Sequence, residues 1–201
     1  VKYLPSPANR APVTAKNVND GSEVNRSANS SETTSALVFK TVADPYAGKL
    51  TLFRTFSGTI KSDSSIYNAS KETSERFGQL YMLQGKTQVP VSEVPAGEIG
   101  TVAKLKQTVT GDTFSDSNDK VIFPPILFPV PVFSRALIPK TRGDEEKISQ
   151  ALQRLTEEDS TLTVERNSQT GELLISGLGQ VHFDVALEKL KDRFGVEVDV
   201  K

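Results

Sequence analysis

The 201-residue sequence has no cysteine and no tryptophan, and only one histidine and one methionine. Without cysteine there is no disulfide, thiol nucleophile, iron–sulfur cluster or thiolate zinc site. A single imidazole excludes the usual multi-histidine metal sites. No run approaches the roughly 20 apolar residues that cross a bilayer, and no basic start leads into a signal-like apolar stretch. The expectation is a cytoplasmic protein with no membrane partner. Charge of one sign is lacking too: 24 Lys+Arg face 25 Asp+Glu, a net charge of −1. No global field therefore draws the chain toward nucleic acid or lipid. What is present is ordinary globular composition, 36% hydrophobic and 24% charged, in a length that allows one or two domains.

Three textures follow one another. Residues 1–33 carry Pro5, Pro7 and Pro12 and then a polar run through Asn17, Asn19, Asp20, Asn25, Asn29, Ser30 and Ser31. The scattered apolar residues there show no period, which predicts a linker or mobile tail. Residues 34–128 are β in texture. Leu37–Val42, Lys49–Phe56, Gly58–Ile60, Ser65–Tyr67, Gln79–Met82, Ile99–Ala103 and Val121–Phe123 are short β-branched or aromatic runs separated by turn signals. That spacing predicts an all-β barrel or sandwich, and the barrel is favoured because closure removes exposed strand edges.

Residues 131–201 alternate strand and helix. A strand over Val132–Ile138 precedes a helix opened by Asp144-Glu145-Glu146, with Ile148, Ala151, Leu152 and Leu155 on one face. Thr161–Arg166 and Glu172–Ser176 read as a hairpin around Asn167–Gly171. A second helix with Phe183, Leu187, Leu190 and Phe194 stops at Gly195, and Val196–Val200 alternates as a strand. The order βαββαβ predicts an α+β ferredoxin-like sandwich.

No catalytic constellation stands out. The phosphate-binding pattern G-x-x-x-x-G-K-[ST] is missing. Gly177-Leu178-Gly179 precedes a helix, but a strand-to-helix turn that needs small residues accounts for it better than a nucleotide loop. His182 lacks a partner nucleophile, which favours a structural or interdomain role. Glu157, Glu158 and Asp159 cluster at a helix end, as solvated charge usually does. The cations Lys61, Lys71 and Arg76 flank barrel strands near turns, and Arg135, Lys140 and Arg142 gather around the first strand of the last segment. The barrel segment has 10 basic and 9 acidic residues and the last segment 10 and 13, so nucleic acid would be met by a local patch only.

Ala36–Pro45, Gly48-Lys49-Leu50 and Phe53–Gly58 resemble the opening of the second domain of bacterial elongation factor G. Pro95–Gly100 and Thr110–Thr113 are similar to later turns of that domain. Ile175–Phe183, reading ISGLGQVHF, resembles a run in the family's third domain. The motifs occur in the family's order across about residues 36–201. Gln180 stands where the family run has Glu, and the polar run from Asn17 to Thr34 is longer than expected between the family's first two domains. Both departures fit a divergent paralogue.

The resemblance implies a second-domain barrel and a third-domain sandwich of a translational GTPase that drives translocation. It implies that residues 1–33 leave a GTP-binding domain not included in this sequence, that GTP and magnesium bind only there, and that this stretch is not itself an enzyme. It also implies partners: the ribosome, through small-subunit ribosomal RNA and protein, and the parent's remaining domains. Lys61, Lys71, Arg76, Arg135, Lys140 and Arg142 are then RNA-contact candidates. Phe39, Lys40, Asp44, Gly48, Gln180 and His182 are interdomain candidates. The alternative, drawn from fold analogy, is a stand-alone regulatory module binding a small molecule.

Overall fold

A computed structural model describes residues 3–44, 48–140 and 145–201. The chain divides into two compact units, Val1–Ile126 and Leu127–Lys201, and no helix of the described residues is long and apolar enough to cross a membrane.

The first unit is all β. Its strands are β1 (Val13–Asn17), β2 (Glu23–Arg26), β3 (Ser35–Asp44), β4 (Gly48–Ser57), β5 (Thr59–Lys61), β6 (Ser65–Asn68) and β7 (Thr73–Arg76). There follow β8 (Leu80–Gln84), β9 (Thr87–Val91), β10 (Glu93–Pro95), β11 (Ile99–Ala103), β12 (Thr113–Ser115) and β13 (Val121–Ile122). Eight of them form one antiparallel sheet in the order β7-β6-β12-β3-β4-β11-β8-β9, and β5 pairs with β10. Alternation along β4 turns Thr51, Phe53 and Thr55 inward, so the sheet curls around a barrel core that includes Val38, Phe53, Ile60, Leu80, Val94 and Phe114. Phe53, Phe77 and Phe114 meet at its centre, with ring centroids 5.1–5.9 Å apart. Gly100 is what admits Phe53, since a Cβ there would lie 2.6 Å from the ring. Pro90 sits in β9, the terminal strand of the sheet, where a missing N–H costs no ladder bond.

The expectation of a linker or mobile tail over residues 1–33 is corrected here. β1 and β2 pair as a hairpin, and β13 joins β1 to make a three-stranded sheet. Ala15 is fully buried with Val121 and Phe123, and Val13, Val24, Leu37 and Phe56 pack around them. Leu37 and Phe56 belong to β3 and β4, so the hairpin docks on the outside of the barrel. The segment has too little apolar surface to fold alone, and its partners lie far along the chain.

The second unit comprises β14 (Phe133–Pro139), α1 (Glu145–Glu158), β15 (Thr163–Arg166), β16 (Leu173–Gly177), α2 (Gln180–Phe194) and β17 (Val198–Val200). The antiparallel sheet runs β15-β16-β14-β17, the split arrangement that the βαββαβ order predicts. Ile148, Ala151, Leu152 and Leu155 of α1 are buried with Phe183, Ala186 and Leu190 of α2 in a single core. Gly195 at φ 64 ends α2: its N–H donates to Lys191 O (3.0 Å) and the Val196 N–H to Leu190 O (3.1 Å). That cap occupies the Val196 amide, so β17 begins later than the alternation of Val196–Val200 suggests. β15 likewise starts at Thr163, because the Thr161 amide and hydroxyl donate to the Asp159 carboxylate.

Candidate nucleic-acid interface

Lys61 ends β5 and Arg76 ends β7, and turn hydrogen bonds bring those ends together. Ser64 Oγ donates to Lys61 O (2.6 Å), Phe77 N–H to Ser64 O (2.8 Å) and Asp63 N–H to Gly78 O (3.2 Å). Both side chains are exposed, and neither forms an ion pair with another described residue. A groove of about 280 Å³ beside Lys61 is lined by Ile60, Ser64, Ser65, Ile66, Tyr67 and Asp116 among others, and Arg76 is not part of its lining. Lys120 Nζ lies 4.5 Å over the Tyr67 ring. Lys71 is elsewhere: it sits in the β6–β7 turn, its N–H donating to Asn68 Oδ1 (3.1 Å). At roughly 3.3 Å per residue, the length of β7 separates it from Arg76 by roughly 15 Å. The structure therefore unites two of the three barrel cations. Exposed cations with hydroxyl groups around them suit phosphate oxygens, not base edges.

The cations of the second unit do not form one patch. Arg135 is exposed on β14, its guanidinium 4.8 Å from the Phe133 ring centroid. Lys140 follows β14 and is bound by Glu197 Oε2 at 3.0 Å, while Glu197 Oε1 takes Lys191 at 3.1 Å. Hydrogen bonding to Glu197 raises the Lys140 pKa. Arg142 lies outside the described residues.

Among the interdomain candidates, Phe39 is the extra residue of a β-bulge, since Val38 faces Phe53 and Lys40 faces Leu52. Lys40 is exposed, and Asp44 pairs in register with Gly48, which has φ +76. Gln180 is exposed and donates to Asp184 Oδ1 (2.7 Å). His182 is held within its own unit. Its Nδ1 accepts the Leu178 N–H (3.0 Å), so Nε2 carries the proton that goes to Asp159 Oδ2 (2.9 Å). Burial alone would raise the Asp159 pKa, but the Thr161 hydroxyl and amide together with His182 outweigh it and hold the carboxyl below its ordinary range.

A second cationic cluster escapes the sequence reading. Arg10, Arg26 and Arg54 line one cavity of the first unit. Arg26 donates to Asp119 Oδ2 (2.6 Å) and Thr33 Oγ1 (2.7 Å). The Thr33 hydroxyl, and then Arg26, lower the Asp119 pKa against the effect of burial. The available signal was the short alternation Val13-Thr14-Ala15-Lys16 ahead of an Asn-Asp-Gly turn, which marks a hairpin and orders both Arg10 and Arg26.

Comparison with known proteins places these units. Residues 33–117 match the family model for elongation factor G domain 2, and residues 128–201 match that for elongation factor G domain III. A crystal structure of a Thermus thermophilus protein superposes with a TM-score of 0.73 at 34% sequence identity. That match covers 85% of this chain and 26% of the other, so this chain spans about a quarter of that protein's length. With a domain II barrel and a domain III sandwich in series, this chain belongs to the elongation factor G family.

Proposed function

We propose that the chain is the ribosome-binding and relay portion of a translocation factor, and that its barrel meets small-subunit ribosomal RNA at the Lys61–Arg76 corner. The observation that carries this reading is the succession of the two elongation factor G domains on one chain. The exposed, unpaired cations at one barrel corner supply phosphate contacts that a net charge of −1 does not supply globally. The sandwich, with one core under both helices, passes on displacement by moving as a body. GTP and magnesium would bind in another domain of the parent, and the work would be done in the cytoplasm.

Co-sedimentation with small ribosomal subunits across a salt series tests this. Wild type should bind with a log–log salt slope that falls by roughly one for each phosphate contact removed in the K61Q/R76Q double variant. Unchanged affinity and slope in that variant would remove the corner from the interface. Absence of binding by the wild type at low salt would overturn the ribosomal reading itself.

A further inference from the structure

Three arginines from three chain segments reach one cavity of about 250 Å³: Arg10 from the loop before β1, Arg26 from the end of β2 and Arg54 from β4. Arg26 is only 7% exposed. Its two terminal nitrogens are used by Thr33 and Asp119, but its Nε is buried and has no acceptor among the described residues. Arg54 Nε is buried and without an acceptor in the same way. Buried donors are almost always satisfied, because burying one unpaired forfeits its hydration without return. Both Nε atoms are too enclosed for a ligand to reach; the donors left over at the cavity are the terminal nitrogens of Arg10 and Arg54, which no described residue accepts.

The site is built, not incidental. Leu37 and Ile99 flank Arg54 in register on the neighbouring strands, and its guanidinium carbon lies 5.8 Å from the Phe56 ring centroid. Gly97 has φ +94, and a Cβ on it would come 2.6 Å from Pro7 Cβ. Glycine there lets Pro7 seat against the barrel and bring the Arg10 loop over the cavity. Asp119 is the one carboxylate hydrogen-bonded to any of the three guanidinium groups among the described residues, which leaves two positive charges in excess.

We propose that this cavity binds a phosphate group, with Arg54 and Arg10 donating from their terminal nitrogens and Arg26 adding its buried charge. Two forked guanidinium groups arriving from different segments match a tetrahedral anion with three or more free or bridging oxygens, whereas a carboxylate offers two oxygens in one plane. This assignment is independent of the ribosomal reading, because free phosphate, a nucleotide and an RNA end all present the same group.

The 201-residue chain would be titrated with sodium phosphate at constant ionic strength, following the arginine Nε–Hε NMR signals and the thermal midpoint. Uridine 5′-monophosphate and a 5′-phosphorylated oligouridylate form the arms that identify the source. Saturable shifts of the Arg10 and Arg54 signals are expected with at least one probe, and the tightest binder identifies the physiological form. R54Q should weaken that binding about tenfold, and R10Q, a change at an exposed residue, should weaken it several-fold without altering the fold. R10Q carries the test should R54Q unfold the barrel. Lack of saturation with all three probes, or saturation that neither variant changes, overturns the proposal. Tighter binding of an acidic peptide than of any phosphate would overturn it too, by assigning the cavity to a protein carboxylate.

Discussion

At the scale of single residues, the barrel interior holds one polar atom that serves nothing within the described structure. Thr51 is fully buried in β4 and its Oγ1 has no partner among the described residues. Thr51→Val replaces that hydroxyl with a methyl of the same shape, and should raise stability by up to about 1 kcal/mol in urea unfolding. A loss of stability would mean that the hydroxyl has an acceptor after all. Asp159 is the opposite case. Its folded pKa lies below the ordinary aspartate value of 3.8, so the folded state holds this proton less tightly than the unfolded chain does. The resulting stability is present above the unfolded pKa and is lost as pH falls through the folded value. D159N should therefore be less stable than wild type at pH 7, and the difference should close below about pH 4. A pH-independent gap in urea midpoints would show that the carboxylate's charge plays no part.

Among the elements, the β1–β2 hairpin depends most on its neighbours. Ala15 is its only fully buried apolar residue, and it rests on Val121 and Phe123. Ala15→Glu would force a carboxylate into that contact and should detach the hairpin. Hydrogen exchange should then lose protection over residues 13–17, 23–26 and 121–122, while β3, β4 and β11 stay protected. Loss of protection throughout the barrel would show instead that the hairpin is integral to it. The same variant should abolish the buried environment of Arg26, which ends β2. By contrast, α1 and α2 were legible from their periodicity, because Ile148, Ala151, Leu152 and Leu155 keep one face wherever the helix packs.

For the whole molecule, balanced charge means that the proposed ribosome binding would have to come from where cations are left unpaired. Lys140 is exposed but engaged by Glu197, so K140Q should leave both the affinity and the salt slope of small-subunit co-sedimentation unchanged, unlike K61Q/R76Q. A slope that falls in K140Q would put the second unit in the interface as well. Lys61, Lys71, Arg76, Arg135 and Lys140 look alike in sequence. Only turn hydrogen bonds, strand length and a glutamate from the end of the chain separate them into a corner pair, isolated charges and a salt bridge.

The order of residues by itself determined the two textures, the helix faces, the Gly195 stop and the family, because these depend on short periods and contiguous motifs. Tertiary structure alone decided what residues 1–33 do and where the arginines meet. Ala15 with Phe123 and Arg26 with Asp119 are contacts across long stretches of chain, and Arg26 and Arg54 come to line one cavity from different strands. No local pattern encodes a pairing whose free energy arises only when the barrel has closed and removed water from both partners.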